Sequence, residues 1–374
     1  MRDLHVVLPG GVDNPVSPSG GNLYDRRACQ HLAGLGWRVV EHAVDGAWPR
    51  PGATATARLA KLLSALPDGA LTLLDGLVAC AAPEVVVPAA ARLRVAVLVH
   101  LPLVDEGGDT DLDACERATL RSAAAVIATS GGAARRLAAL HDLDGVRVAA
   151  PGVDGAPLSA GTADGGRLLC VAAVTPRKAQ DVLVAALATV GDLPWSCTFA
   201  GSLDRDPAYA SRVMAAAAEL DGRVTFAGPL AGAALDAAYS EADLLVLPSH
   251  AETYGMVVTE ALARGVPVVA TAVGGVPEAL GAVPAPEMAG RAPTTDRSKR
   301  PPAAGPAIGL AADLVRPGIL VPPGDPEALG DALRRWLESG ELRDRLRTAA
   351  RARRSTLDGW DTTARALSGI LAAL

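Results

Sequence analysis

Two carboxylates with seven residues between them, Glu252 and Glu260, bracket Gly255 in the stretch LLVLPSHAETYGMVVTEALARGVPVVATAVGGVPE, residues 244–278. A carboxylate only accepts hydrogen bonds, so it is a poor partner for phosphate and a good one for sugar hydroxyls. Gly255 opens a predicted helix in which Val257, Val258, Ala261 and Leu262 recur at helical spacing. The free N–H groups of Gly255, Met256 and Val257 at its start favour an anion, through hydrogen bonds and the helix dipole. A side chain at position 255 would hold a phosphate off. Hydroxyl acceptors beside an anion-binding helix start call for a ligand that carries both groups, such as a nucleotide sugar. Taken alone, Glu260 reads equally as a solvated helix residue and Glu252 as a partner for the helix dipole.

The elements that must position these residues follow from the apolar pattern. Leu244–Leu247, bounded by Pro248 and Ser249, is predicted to be a buried parallel strand, and Pro267–Thr271 a second one after the Arg264-Gly265 stop. Strand, loop, helix, strand puts the loop at the carboxyl edge of a parallel sheet, where ligands bind. The same alternation runs through the chain, with strands expected at Leu4–Leu8, Trp37–Val44, Leu71–Leu74, Val95–Val99, Ala125–Ala128, Val146–Ala149, Leu168–Val174, Cys197–Ala200, Val224–Ala227 and Ile319–Val321. That pattern predicts an α/β protein with doubly wound parallel sheets. At 374 residues the chain is long enough for two domains. The Gly-rich segment Pro151–Gly166 is the expected linker, giving domains over residues 1–155 and 166–357. Trp360–Leu374 is a final amphipathic helix.

Further residues sit where such sheets do chemistry. His100 ends the strand RVAVLVH at a carboxyl edge. Arg177 and Lys178 are expected to open a helix, where two cations oppose the dipole unless an anion is bound; a surface pair is the plainer alternative. Gly20 and Gly21 precede a helix expected to be capped by Asn22, to reach about Leu35 and to stop at Gly36. The turn GGVDNPVSPSGG lacks the G-x-G-x-x-G of a dinucleotide site. Asp109, Asp111 and Asp113 have the spacing of a cation loop, but Ala114 stands where that loop needs Gly and Leu120 where it needs Glu. Helix capping explains the triplet better, and likewise Asp204 and Asp206 ahead of Pro207, so no metal is expected.

Composition narrows the classes. Half the residues are apolar, a fifth charged and 3% aromatic, which is globular rather than disordered. A net charge of −6 argues against nucleic acid as a partner. No apolar run reaches the length of a membrane span, and Met1–Gly10 has a strand pattern without a cleavable signal, so a cytoplasmic protein is expected. The five cysteines are scattered, as suits reduced core thiols. Arg343, Arg347, Arg351 and Arg354 form one helical stripe, more in keeping with a solvated face than with membrane contact. Ala282–Gly318, rich in Pro, Ala and Gly, reads as a mobile insertion, either a lid or an inert excursion.

The E-x7-E run headed by ETYG, with PS before it and GGVPE after the next strand, resembles the donor-binding signature of retaining GT-B glycosyltransferases of family four, also called group one. The commonest head in that family is EPFG, of which ETYG is a variant. The resemblance implies a GT-B fold, two Rossmann-like domains facing a cleft, with the last helix crossing back onto the first domain. It implies transfer of a hexosyl unit, with retention, from a UDP- or GDP-linked sugar to a hydroxyl of a small-molecule or lipid-linked acceptor, without cofactor or metal. It places Glu252 by the donor sugar, Glu260 on the ribose, Gly20 and Gly21 beside the donor phosphates, and His100 near the anomeric centre. Lys178 aligns with the Lys of an R-x4-K segment that neutralises the pyrophosphate. The usual Arg is Ala173 here, and Arg177 is the candidate to replace its charge. PGVD at residues 151–154 is similar to the family's NGVD. The rival readings are a GT-B epimerase or hydrolase, and a non-catalytic nucleotide-sugar-binding protein.

Overall fold

The computed structural model describes residues 2–14, 19–107, 110–284 and 314–374. The first half of the chain runs β1 (Arg2–Pro9), α1 (Gly20–Gly34), β2 (Trp37–Val44), α2 (Ala53–Ala65), β3 (Leu71–Asp75), α3 (Gly76–Ala79), α4 (Pro83–Ala90), β4 (Arg94–Val99), α5 (Val104–Gly107), α6 (Thr110–Ser122), β5 (Ala125–Ala128), α7 (Gly131–His141) and β6 (Arg147–Val148). The second half runs β7 (Arg167–Val171), α8 (Gln180–Ala188), β8 (Ser196–Ala200), α9 (Pro207–Ala218), β9 (Val224–Gly228), α10 (Gly232–Glu241), β10 (Leu244–Leu247), α11 (Met256–Ala263), β11 (Val268–Thr271), α12 (Val276–Leu280), β12 (Val283–Pro284), β13 (Leu314–Val315), β14 (Gly318–Val321), α13 (Pro326–Glu338), α14 (Gly340–Arg354) and α15 (Trp360–Ala372).

These strands form two six-stranded parallel sheets, ordered β2-β1-β3-β4-β5-β6 and β14-β11-β10-β7-β8-β9, while β12 and β13 make a small antiparallel pair. Each sheet is covered on both faces, so its central strands are buried and largely apolar. Along β1, Leu4, Val6 and Leu8 face α1 and α15, while Val7 joins the opposite core with Leu59, Leu74 and Val97. The second sheet repeats the plan: Cys170, Phe199 and Val246 pack with Leu183 and Trp336, and Leu169, Leu245 and Leu247 pack with Val258 and Leu262. In both sheets the order reverses direction beside the first strand laid down, and the adjoining carboxyl ends open a crevice.

The chain's last helix, α15, returns to the first sheet. Trp37 donates its indole N–H to Ser368 Oγ at 2.9 Å, Thr363 donates its hydroxyl to the Ala150 carbonyl at 2.8 Å, and Trp360 meets Tyr24 edge-on at 5.7 Å.

Several local expectations are corrected. Helix α1 is capped by Ser19, whose hydroxyl accepts from the Asn22 N–H at 3.1 Å, so Asn22 lies inside the helix and Gly20 and Gly21 form its first turn. β7 ends at Val171, and Arg177 and Lys178 lie in a single 3-10 turn, Pro176–Lys178, rather than at a helix start. Ala179 then takes a left-handed conformation, φ 53°, before α8 begins at Gln180. Three of the four arginines of the α14 stripe are tied to neighbouring backbone: Arg343 and Arg347 are half-buried, while Arg354 stays exposed. Arg343 donates to the Trp336 and Leu337 carbonyls, Arg347 to the Thr162 carbonyl and Asp243, and Arg354 to the Ala156 and Ala263 carbonyls. Arg347 and Arg354 strap α14 to the linker, whose irregular backbone needs donors for its exposed carbonyls, while Arg343 ties α14 to the end of α13.

The cysteines are free thiols, and burial pushes those of Cys80 and Cys197 well up. Asp206 caps α9 through the Tyr209 N–H at 2.9 Å. Asp109 lies outside the described residues, as does most of Ala282–Gly318; Asp111 and Asp113 fall in the first turn of α6. Among the described residues no helix is long and apolar enough to cross a membrane.

Candidate functional site

On the second sheet the site is built from the loops that leave β7, β10 and β11. Gly255 takes φ 89°, a left-handed conformation that turns the chain sharply into α11 and that favours glycine. Gly274 is tighter: a Cβ there would stand 1.6 Å from the Glu252 carbonyl oxygen, so the two loops lie backbone against backbone. That close approach holds Glu252 at the mouth of the sheet. Its carboxylate accepts from Lys178 Nζ and from the Ser249 hydroxyl, the latter at 2.8 Å. Arg177 donates to the Ala251 carbonyl at 3.0 Å and stands 3.9 Å from the second Glu252 oxygen. Burial alone would raise the Glu252 pKa, but Lys178 and Arg177 outweigh it and hold the carboxyl below its ordinary value. Burial lowers Lys178 in turn, against the pull of Glu252.

Glu260, one turn into α11, accepts from the Tyr239 hydroxyl at 2.7 Å, and Arg264 lies over the Tyr239 ring at 4.6 Å. Burial raises Glu260, opposed by that hydrogen bond and by Arg264. Glu252 and Glu260 therefore flank the helix start with separate partners: one sits in a cation pair, the other on a tyrosine.

The first sheet contributes a different cluster. His100 follows β4, and its Nε2 meets Asp25 Oδ1 at 2.8 Å and Asp75 Oδ2 at 3.6 Å. Asp75 ends β3 and caps α3, accepting from the Leu77 and Val78 N–H groups at 2.7 and 3.3 Å. Asp25 projects inward from α1, where its neighbour Tyr24 meets the His100 ring edge-on at 5.1 Å. Burial would lower His100, but the two carboxyls outweigh it and lift it to about 9. Burial, reinforced by Asp25, raises Asp75 to about 7. Among the described residues these three side chains are also the ones close enough to hold a metal ion, with ligand atoms within 4.8 Å of one another. In the structure His100 Nε2 is instead taken up by Asp25 Oδ1 at 2.8 Å with Asp75 Oδ2 beside it at 3.6 Å, so the ring and the two carboxyls pair with one another.

The two edges meet around the start of α1. A Cβ on Gly21 would stand 3.2 Å from the His100 ring, and one on Gly20 would stand 3.3 Å from Met256 Sδ at the start of α11. The Thr253 hydroxyl donates to the His100 carbonyl at 2.6 Å, and the Ser130 hydroxyl to the Thr253 carbonyl at 2.5 Å. Glu278 of α12 accepts from the Gly131 and Gly132 N–H groups at 2.9 and 2.8 Å, pinning the start of α7. The structure thus gathers Gly20, Gly21, His100, Glu252, Gly255 and Met256 at one junction, with Arg177 and Lys178 joined to it through Glu252. Val257, next along α11, packs partly into the core beneath.

Residues 165–289 match the family described as glycosyl transferases group 1, and residues 229–367 match the family 4 glycosyltransferases of conflict systems. The chain belongs to the group 1, family 4 glycosyltransferases. Within that family it is 30% identical over 221 residues to a D-inositol 3-phosphate glycosyltransferase of Streptomyces griseus, across 54% of this chain and 37% of that relative. It is 32% identical over 182 residues to the protein of the same name from Pseudarthrobacter chlorophenolicus, across 44% of this chain and 43% of the relative. The aligned part is thus less than half of either relative's length. Two solved GT-B glycosyltransferases share the fold over the whole chain. A sucrose-phosphate synthase of Thermosynechococcus elongatus superposes with a TM-score of 0.74 at 22% identity, covering 100% of this chain and 99% of its own. HepE of Anabaena, solved in complex with UDP and glucose, gives 0.73 at 17% identity and covers both chains fully. This group 1 chain therefore has the GT-B architecture of two parallel doubly wound sheets.

Sequence reasoning missed Asp25, Asp75 and Tyr24. Asp75 carried the same signal as His100, a polar residue closing an apolar strand at the carboxyl edge. Asp25 stood on the apolar face of α1 in line with Ala28, Cys29 and Leu32. A charge on a buried face needs a partner, and that requirement was visible in the spacing.

Proposed function

We propose that the chain transfers a hexosyl unit from a nucleotide diphosphate sugar to an acceptor hydroxyl, with retention of anomeric configuration and without a metal. The observation that carries this reading is the junction of Arg177, Lys178 and the α11 start with His100 across the glycine pair of α1. In this reading residues 1–155, with the returning helix 360–374, are the acceptor-side domain, and residues 166–357 are the donor domain. The donor diphosphate lies at the starts of α11 and α1, where backbone N–H groups and the helix dipoles favour it. Lys178 turns from Glu252 to the diphosphate, and Arg177 supplies the charge that Ala173 lacks. Glu252, so released, accepts from hydroxyls of the donor sugar, and Glu260 accepts from the ribose. His100 lies on the opposite wall by the anomeric carbon. As the glycosidic bond to phosphate breaks, the growing negative charge meets fixed cations and helix starts, which is the main catalytic contribution. The departing phosphate, on the face the acceptor enters, takes the acceptor proton, so that the configuration is kept.

A thermal-shift screen with UDP- and GDP-linked hexoses tests the donor, because a ligand that binds only the folded state raises the apparent Tm. An acceptor panel with the chosen donor then tests transfer. Diphosphate released only when acceptor is present, with product of unchanged anomeric configuration by NMR and full rate in chelator, is the expected result. Release without acceptor would indicate hydrolysis or epimerisation instead. Loss of activity in chelator that returns with a divalent ion would overturn the metal-free mechanism.

A further inference from the structure

Asp25 and Asp75 are buried to 3% and 5% exposure, and among the described residues neither forms an ion pair with an Arg or Lys. Both carboxyls point at one ring, that of His100, from two different elements, α1 and the β3–α3 junction. Asp25 Oδ1 takes Nε2, while Asp25 Oδ2 is buried with no hydrogen-bond partner. A buried carboxylate oxygen left bare is costly. A proton held on Asp75 removes that cost, since Asp75 then donates to Asp25 as it lies beside it. With that proton in place the three groups sum to zero charge: Asp25 negative, His100 positive, Asp75 neutral. Without it they sum to −1, still in favour of a protonated ring. The remaining neighbour, Tyr24, is itself pushed well up by burial and by Asp25, so it adds no charge. With Nε2 committed, Nδ1 is the ring nitrogen not engaged with these carboxyls. Position 21 has no side chain to cover the ring, and a Cβ there would crowd it at 3.2 Å.

We propose that Asp25 and Asp75 are positioning residues that fix the His100 ring through Nε2 and keep it protonated, so that it meets the donor as a cationic hydrogen-bond donor and not as a general base. The proposal rests on the glycosyl-transfer reading above for the identity of the ligand. No proton leaves the ring in this role. The cation on the first sheet faces the diphosphate that leaves toward the second, and its Nδ1–H strengthens its hold as negative charge develops there. A neutral histidine in the same place would donate more weakly, and a general base would be redundant with the departing phosphate.

The test needs no substrate at its first stage. Histidine ring resonances of the full chain are titrated by NMR, with His100→Gln used to assign the His100 signal. The wild-type signal is expected to titrate near pH 9, to fall by more than one pH unit in Asp25→Asn, to fall by less in Asp75→Asn, and to return in Asp25→Glu. A wild-type signal near the ordinary 6.5, or one unmoved by Asp25→Asn, overturns the proposal. Should Asp25→Asn fail to fold by circular dichroism, the Asp75→Asn titration decides, and an unmoved signal there counts against it. The second stage follows turnover against pH. Its alkaline limb should follow the His100 titration in each variant, a shift that mere loss of packing would not produce; a limb that stays in place overturns the catalytic half of the proposal. If the titrations behave as stated while no nucleotide sugar binds the wild type, the functional reading fails and the ring-holding role of the aspartates stands.

Discussion

The two sheet edges that face each other solve one electrostatic problem with opposite signs. At the first sheet a single imidazole is gripped by two carboxyls, Asp25 and Asp75. At the second a single carboxylate, Glu252, is gripped by two cations, Lys178 and Arg177. In each case burial works against the central charge and the flanking pair outweighs it. The difference lies in what surrounds the pairs. Glu252 lies among side chains on loops, beside a helix start, and can exchange partners when an anion arrives. His100 is pinned from a helix and a strand end, and its partners are sealed in the core. In the proposed reaction one wall is therefore adaptable and takes the anion, and the other is rigid and presents a fixed donor. A lone cation–carboxylate pair would not distinguish the two; the burial of the flanking groups does.

The largest effect should come from the adaptable wall. Lys178→Ala is expected to lower kcat/KM by roughly a hundredfold to a thousandfold, since the leaving diphosphate loses a direct charge partner. It should also lower stability, because Glu252 is left in a nearly buried place with Arg177 as the remaining cation. Pairing it with Glu252→Gln should recover the Tm without recovering turnover. Recovery of both would mean that Lys178 serves only the ion pair, and the comparison between walls would collapse.

On the rigid wall, His100→Ala should reduce turnover by about tenfold to a thousandfold with the fold retained. Steady-state rates with circular dichroism check this, and wild-type activity would return His100 to a purely structural role.

Glu260→Ala should weaken donor and free nucleoside diphosphate together by roughly 1 to 3 kcal/mol, as expected when a buried hydroxyl loses its acceptor. Glu252→Gln should spare the free diphosphate and lower turnover alone. Calorimetry that finds equal losses of diphosphate affinity in the two variants would erase the division between ribose and sugar carboxylates.

The fourth expectation concerns pH and stability. His100 titrates higher in the folded chain than its ordinary 6.5, so its contribution is fully present below about pH 6.5 and is lost as pH rises through about 9. The Tm gap between wild type and Asp25→Asn should therefore be widest near pH 6.5 and close toward pH 10. A gap independent of pH would show that Asp25 acts by packing alone.

The smallest effect sharpens the boundary between the walls. Ser19→Ala removes the cap of α1 and should cost about 0.5 to 2 kcal/mol by chemical denaturation. A larger fall in diphosphate affinity than in stability would show that the Gly20–Gly21 turn is held in place for its ligand.

By itself the sequence determined the alternation of buried strands and helices and the helix start that Glu252 and Glu260 flank. Those features are local: strands buried on both faces read as apolar runs, and a helix start with its flanking carboxylates lies within one short stretch. It also placed His100 at a strand end, since a polar residue closing an apolar run needs no knowledge of its neighbours. Three things were decided only by the tertiary structure. Lys178 and Glu252 are partners although 74 residues separate them, because β7 and β10 lie side by side in the sheet. Asp25 and Asp75 reach His100 over separations of 75 and 25 residues, because β1, β3 and β4 are adjacent and α1 packs above them. Arg347 and Arg354 of α14 bond the linker for a similar reason, since its carbonyls lie on the side that periodicity alone would assign to solvent. Charge pairing at a distance is set by strand order, and strand order is not written in the spacing of residues along the chain.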